Sequence, residues 1–134
     1  RQRQMCIRDR QVLLPDAQKK IERELVRLAD SRQVDLIITT GGTGLSLRDV
    51  TPEATMAVAT RNVPGIAEAI RAESLKITRR AMLSRGVSVV RGQTLIVNLP
   101  GSTKAVEEAL AIVLPQLEHG LRILKGSAHD CARK

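Results

Sequence analysis

The chain has 134 residues, enough for one domain with a substantial core, and 43% of them are hydrophobic although Phe, Tyr and Trp are all absent. No apolar run approaches a membrane span or a signal-peptide core, so membrane partners are set aside. The net charge of +8 draws +3 from the first ten residues, four Arg against one Asp, and without aromatics there is no stacking platform for single-stranded nucleic acid. Nucleic acid is therefore disfavoured, and a basic surface equally suits a multiply phosphorylated small ligand.

Cys6 and Cys131 sit near opposite ends with no metal-ligand spacing, which reads as incidental thiols in a reducing compartment, the cytoplasm by default. Residues 1–10 (RQRQMCIRDR) have neither a helical nor a strand period. They read as a basic segment of the kind translated from a sequencing adapter, with a natural basic arm as the alternative. The α/β domain is expected over 11–126 and a frayed tail over 127–134.

Val12-Leu13-Leu14 is a short strand candidate that stops at Pro15-Asp16. A helix from Ala17 to about Ala29 follows, with Ile21, Leu25 and Leu28 as its apolar stripe and Asp16 placed as its N-cap. Leu36 to Ile38 is an apolar run expected as a strand buried on both faces, completing a strand–helix–strand crossover. It runs into Gly41-Gly42-Thr43-Gly44. Beyond that turn, Thr51 as N-cap, Pro52 and Glu53 open a helix to about Thr60 that presents Ala54, Ala57 and Val58.

Val63-Pro64-Gly65 breaks the pattern, and the next helix turns Ile66, Ala69, Ile70 and Leu75 to the core. Thr78 to Ser84 is expected as another short helix. Val87–Val90 and Thr94–Leu99 form a hairpin about Arg91-Gly92-Gln93. Pro100-Gly101-Ser102 closes the second strand, and Ser102 caps a helix with Val106, Leu110 and Val113 on one stripe. Pro115 is expected to end it, and a last segment places Leu117, Leu121 and Leu124. The class is α/β, a mostly parallel sheet with helices on both faces and one antiparallel hairpin. In such sheets ligands bind beyond the C-terminal ends of strands, where Asp16, the Gly41–Gly44 turn and the Pro100–Ser102 turn can gather.

A strand running through a glycine turn toward a helix is how α/β proteins build phosphate cradles. The spacing matches neither the dinucleotide fingerprint nor the P-loop, and on spacing alone the turn equally fits a connection that binds nothing. Asp49 reads either as a turn carboxylate paired with Arg48 or as a functional acid, and Asp16 as a cap or a functional acid. Glu53 reads as a dipole partner, Glu68 and His119 as surface or interface, and His129 as tail. Lys104, in the first turn of its helix, is solvated or adds charge to a site.

Thr39-Thr40-Gly41-Gly42-Thr43-Gly44 followed by Arg48-Asp49-Val50-Thr51-Pro52-Glu53-Ala54-Thr55 resembles the signature of the molybdopterin adenylyltransferase family, MogA/MoaB-like. Val63-Pro64-Gly65-Ile66-Ala67-Glu68 and Leu95-Ile96-Val97-Asn98-Leu99-Pro100-Gly101-Ser102 agree in the same order, so the likeness runs from about Val12 to Gly126. The resemblance implies a three-layer α/β/α fold, a homotrimer, and transfer of AMP from ATP to the terminal phosphate of molybdopterin with Mg²⁺. It also implies an opening strand, loop and helix that residues 1–10 do not match. A chain without them is expected to be marginal or aggregation-prone alone.

By the same resemblance Asp49 and Asp16 are the catalytic and Mg²⁺-binding carboxylates. Thr40, Gly41, Gly42, Thr43 and Gly44 then hold phosphate, and Asn98, Pro100, Gly101 and Ser102 form a second clamp for the pterin or its phosphate. A non-catalytic pterin-binding paralogue, or an inactive fragment of the same family, is the alternative.

Overall fold

The computed structural model describes residues 11–126. In chain order these form α1 (Gln18–Val26) running into a π-helical turn (Arg27–Ser31), β1 (Leu36–Thr40), α2 (Thr51–Val58) and β2 (Arg61–Asn62). Then come α3 (Pro64–Leu75), a 3₁₀ turn (Arg79–Leu83), β3 (Ser88–Arg91), β4 (Thr94–Leu99) and α4 (Thr103–Leu124). The sheet order is β1-β4-β3-β2. β4 pairs parallel with β1 and antiparallel with β3, and β3 pairs antiparallel with β2.

β4 is the strand on which both layers meet, and all six of its residues are buried. Strand alternation sends Leu95, Val97 and Leu99 to one face and Ile96 to the other. The first set packs with Val90 against Ile70 of α3 and Ala109, Val113 and Leu117 of α4. Ile96 packs with Ile37 and Val89 against Ile21 and Leu25 of α1 and Ala54 and Val58 of α2. The α/β class, the helices on both faces and the hairpin are all present, while the parallel pairing among the described residues lies in the β1–β4 ladder. The hairpin turns through Gly92 at φ +60, a backbone region that glycine enters without penalty.

Several local expectations give way to tertiary context. Val12–Leu14 form no strand and lie exposed, Leu13 at 91%, so the predicted first crossover is not made among the described residues. Three apolar residues ahead of a proline gain nothing as a strand without a ladder partner. Asp16 does not cap α1: the N-cap is Ala17, whose N–H donates to the Pro15 carbonyl at 2.8 Å. Asp16 is the middle of that three-residue turn, one position early for capping. β1 is an edge strand rather than a doubly buried one, with Ile38 37% exposed.

In α2 the N-cap is Val50, Thr51 is buried inside the first turn, and Ala57 faces solvent while Thr55 takes the core position. Ala69 and Leu75 of α3 are exposed, and Ala67 is buried in their stead. The two-residue β2 went unforeseen. Pro115 does not end the last helix: α4 runs unbroken from Thr103 to Leu124. Proline removes one N–H and frees the carbonyl four residues back. Here Pro115 and Ala111 are both exposed, so that carbonyl lies on the wet side while Ala109, Val113 and Leu117 stay packed on the sheet.

Candidate functional site

Parallel pairing is what assembles the site. The register runs from Leu36 opposite Leu95 to Thr40 opposite Leu99, so β1 and β4 end at the same level. Their following turns therefore emerge side by side. The Gly41 N–H donates to the Leu99 carbonyl at 3.1 Å. A Cβ on Gly101 would stand 3.4 Å from the Gly41 Cα, so the two glycine turns touch backbone to backbone. Two turns far apart in sequence thus lie against each other beyond the ends of β1 and β4, as the sequence reading anticipates for them.

Within the first turn, Gly41 and Gly42 adopt φ of +87 and +71, which L side chains rarely enter. The carbonyls of Gly42, Thr43 and Gly44 are all engaged. That of Gly42 accepts from the Thr51 N–H at 3.2 Å and that of Thr43 from the Arg85 N–H at 2.8 Å. That of Gly44 accepts from Arg85 Nε at 2.8 Å. The N–H groups of Gly42, Thr43, Gly44 and Leu45, by contrast, donate to no acceptor among the described residues. Successive uncommitted amides of this kind are the groups from which anion-binding nests are built.

The second turn adds the N-terminus of α4. Ser102 caps it as expected, its Oγ accepting from the Ala105 N–H at 3.2 Å. Among the described residues the N–H groups of Thr103 and Lys104 remain the orphan donors of a first helical turn, and the exposed Lys104 side chain adds charge. Pro100 is half-buried and Thr40 exposed at the rim.

Asp49 folds back over the loop that follows the turn. Its Oδ2 accepts from the Ser46 N–H at 3.1 Å and would lie 2.9 Å from a Cβ on Gly44. Its other carboxylate oxygen has no partner among the described residues. The arginine beside it is Arg85 rather than Arg48, and the contact runs from Nη2 to the Asp49 carbonyl at 2.6 Å. Arg85 also pairs with Glu53, which its guanidinium holds below the usual carboxylate range, and Glu53 in turn raises the Arg85 pKa.

Arg85 is the site residue that the sequence reading missed. One cation among 22 Lys and Arg carries no distinguishing pattern. Asp16 lies exposed before α1, and its side chain forms no hydrogen bond or ion pair among the described residues. Asn98 is 3% exposed and internally satisfied: its Oδ1 accepts from the Val87 N–H at 3.1 Å, and its Nδ2 donates to the hydroxyls of Thr39 at 2.9 Å and Thr55 at 3.1 Å. In this arrangement Asn98 ties β4 to β1, α2 and the start of β3, and has no donor left for a ligand.

No group of three or more His, Cys, Asp or Glu among the described residues could hold a metal ion. Asp49 is the carboxylate at the turn, with one free oxygen. That donor set fits Mg²⁺ in the mode where one or two carboxylates act together with substrate phosphates and waters, not a closed protein cage. A separate cavity of about 500 Å³ lies between α3, α4 and the sheet, is lined mainly by apolar side chains, and shares no residue with the glycine turn. No described helix is long and apolar enough to cross a membrane.

Comparison with known proteins agrees with the fold. The family model described as a probable molybdopterin binding domain matches residues 2–119, reaching into the basic segment set apart above. The molybdopterin adenylyltransferase of Helicobacter pylori J99 is 41% identical over 115 residues, covering 86% of this chain and 65% of that protein. The one from Escherichia coli K12 is 51% identical over 98 residues, covering 73% of this chain and 50% of that protein. The chain thus spans between half and two thirds of the length of these curated relatives. Among solved structures, the molybdopterin biosynthesis enzyme MoaB of Thermus thermophilus superposes with a TM-score of 0.78 at 52% identity, covering 84% of this chain and 70% of that one. The chain belongs to the molybdopterin-binding domain family of molybdenum cofactor biosynthesis.

Proposed function

We propose that this chain binds the terminal phosphate of molybdopterin and transfers AMP to it from ATP. The observation that carries the reading is the run of four uncommitted amides, Gly42 to Leu45, set against the N-terminus of α4. Family membership narrows the anion from any phosphate to that of the pterin. In the transfer, an oxygen of the pterin phosphate bonds to the α-phosphorus of ATP as the α–β bridge breaks and pyrophosphate leaves. The nucleophile is already ionised near neutral pH, so no general base is needed, and catalysis is positioning and charge neutralisation.

The turn amides and the Thr43 hydroxyl hold one phosphate, and the Gly101–Ser102 turn with the α4 N-terminus holds a second. Bound Mg²⁺ would offset the charge of the two anions as they meet. Asp49 is the side chain that would bind it, and Asp16 is the second carboxylate of this reading. The site is that of a homotrimer on the same reading.

The test is to mix the chain with molybdopterin, ATP and Mg²⁺ and to look by mass for adenylylated pterin, with pyrophosphate release as a check. Product above a no-protein control is expected. Asp49→Ala is expected to lower transfer at least about a hundredfold while pterin binding stays, because a group acting on the transition state contributes that much. Equal loss of both would remove Asp49 from catalysis, and undiminished transfer in Asp16→Ala would remove Asp16 from the site. A non-catalytic pterin binder is the second reading, favoured by Asp49 being the one carboxylate against the turn among the described residues. Pterin bound without product in the wild-type chain would establish it.

A further inference from the structure

We propose that Arg85 is the positioning residue of this site, aiming the turn amides from behind without touching the ligand; the ligand's being phosphate rests on the preceding reading. In a trans peptide unit the C=O and the next residue's N–H point in opposite directions. Fixing the carbonyls of Gly42, Thr43 and Gly44 therefore fixes the N–H groups of Thr43, Gly44 and Leu45 on the opposite side. Thr51 holds the first carbonyl and Arg85 holds the other two, by its backbone N–H and its Nε.

Arg85 also fixes the far end of the loop. Its Nη2 donates to the Asp49 carbonyl, so one guanidinium spans the loop from Gly44 to Asp49. That span keeps the Asp49 carboxylate over Gly44. The base of Arg85 is itself held, because Arg71 Nη1 donates to the Gly86 carbonyl at 2.8 Å and the Ser84 carbonyl at 3.4 Å. A planar fork with donors at Nε and Nη2 reaches two carbonyls at once, which the single ammonium of lysine does not. Glu53 sits on the remaining edge, half-exposed, and balances the charge. The role of Arg85 is thus geometric: it is turned toward carbonyls and Glu53.

Inorganic pyrophosphate serves as the probe, followed through the backbone amide resonances of Gly44 and Leu45. In the wild-type chain both are expected to shift on titration. Arg85→Lys, which keeps the charge, and Arg85→Gln, which removes it, are both expected to weaken pyrophosphate binding about tenfold to a hundredfold, the scale of charge-assisted hydrogen bonds. Glu53→Gln is expected to bind within about twofold of wild type, as exposed pairs contribute little. Millimolar guanidinium added to a folded Arg85→Ala protein is expected to restore part of the affinity.

Wild-type affinity in Arg85→Lys would overturn the proposal, as would a loss in Glu53→Gln equal to that in Arg85→Lys. Should pyrophosphate leave the wild-type amides unmoved, the phosphate reading falls, and amide order parameters then judge Arg85 separately. For Thr43 to Leu45 these are expected near about 0.85 in the wild type and below about 0.6 in Arg85→Lys. Unchanged order in that variant would overturn the positioning role.

Discussion

Gly42 is glycine for two independent reasons. Its φ of +71 strains any side chain, and a Cβ there would stand 2.2 Å from the Thr51 Oγ1. Strain and overlap together predict that Gly42→Ala loses about 2–5 kcal/mol. Gly65 in α3 is the matched comparison, since nothing among the described residues lies within 4 Å of its Cβ position. Gly65→Ala is expected to gain up to about 1 kcal/mol from helix propensity. Melting the two variants beside the wild type should move Tm in opposite directions, and a Gly42→Ala protein that melts with the wild type would refute the close approach of Thr51. The sequence marks Gly42 as a turn residue, because glycine after an apolar strand is a local signal. It does not name Thr51 as the obstacle, nor does it say whether a polar residue inside an apolar run, Asn98, faces a ligand or the protein.

α4 shows the same division at the scale of an element. Ser102 and the apolar stripe from Val106 to Leu124 are legible by capping and period alone, and both hold. Pro115 reads locally as a break, yet the packing of Val113 and Leu117 on the sheet outweighs the missing hydrogen bond. Pro115→Ala should therefore restore that bond and raise stability by about 1–2 kcal/mol, after the greater freedom of the unfolded chain is subtracted. The measurement is a melt followed by far-UV circular dichroism. Lower stability or lost helical signal would show that the proline marks a true joint. Helix α3 is a further case: it has no cap of its own, and Ser88 of β3 supplies one, its Oγ accepting from the Ala67 N–H at 3.0 Å. No local pattern reports a cap that arrives from another strand.

At the scale of the molecule, and among the described residues, three ion pairs join separate layers. Arg85–Glu53 links the loop before β3 to α2, Arg91–Asp30 links β3 to the turn after α1, and Lys125–Asp35 links the end of α4 to the start of β1. Glu53 and Asp30 are both held below their ordinary values of 4.5 and 3.8, first by the hydrogen bond from their arginine. A depressed carboxylate contributes stability that is present above its unfolded pKa and lost as pH falls through the folded one. The Tm of the wild type should thus exceed that of Glu53→Gln above about pH 4.5, by a small margin, and the two should converge in more acid solution. A difference that persists or grows in acid would mean that Glu53 acts otherwise than through Arg85.

The residues themselves determined most of the elements, the class and the two turns, because apolar period, caps and glycines act over a few neighbours; β2 and the unbroken α4 were not among them. They also carried the family likeness, since four short motifs kept their order along the chain. Only the tertiary structure decided what meets what. The β1–β4 register brings Gly41 against Gly101, and Arg85 crosses 41 residues to hold the Gly44 carbonyl. It likewise left Asp16 on an exposed turn and drew Asn98 into an internal tie. The physical reason is range: helices, caps and turns are set by hydrogen bonds and side chains within a turn or two, while strands need a partner from elsewhere in the chain. Which way the amides of the glycine turn face is set by which carbonyls are engaged, and those partners come from strands and loops far along the chain.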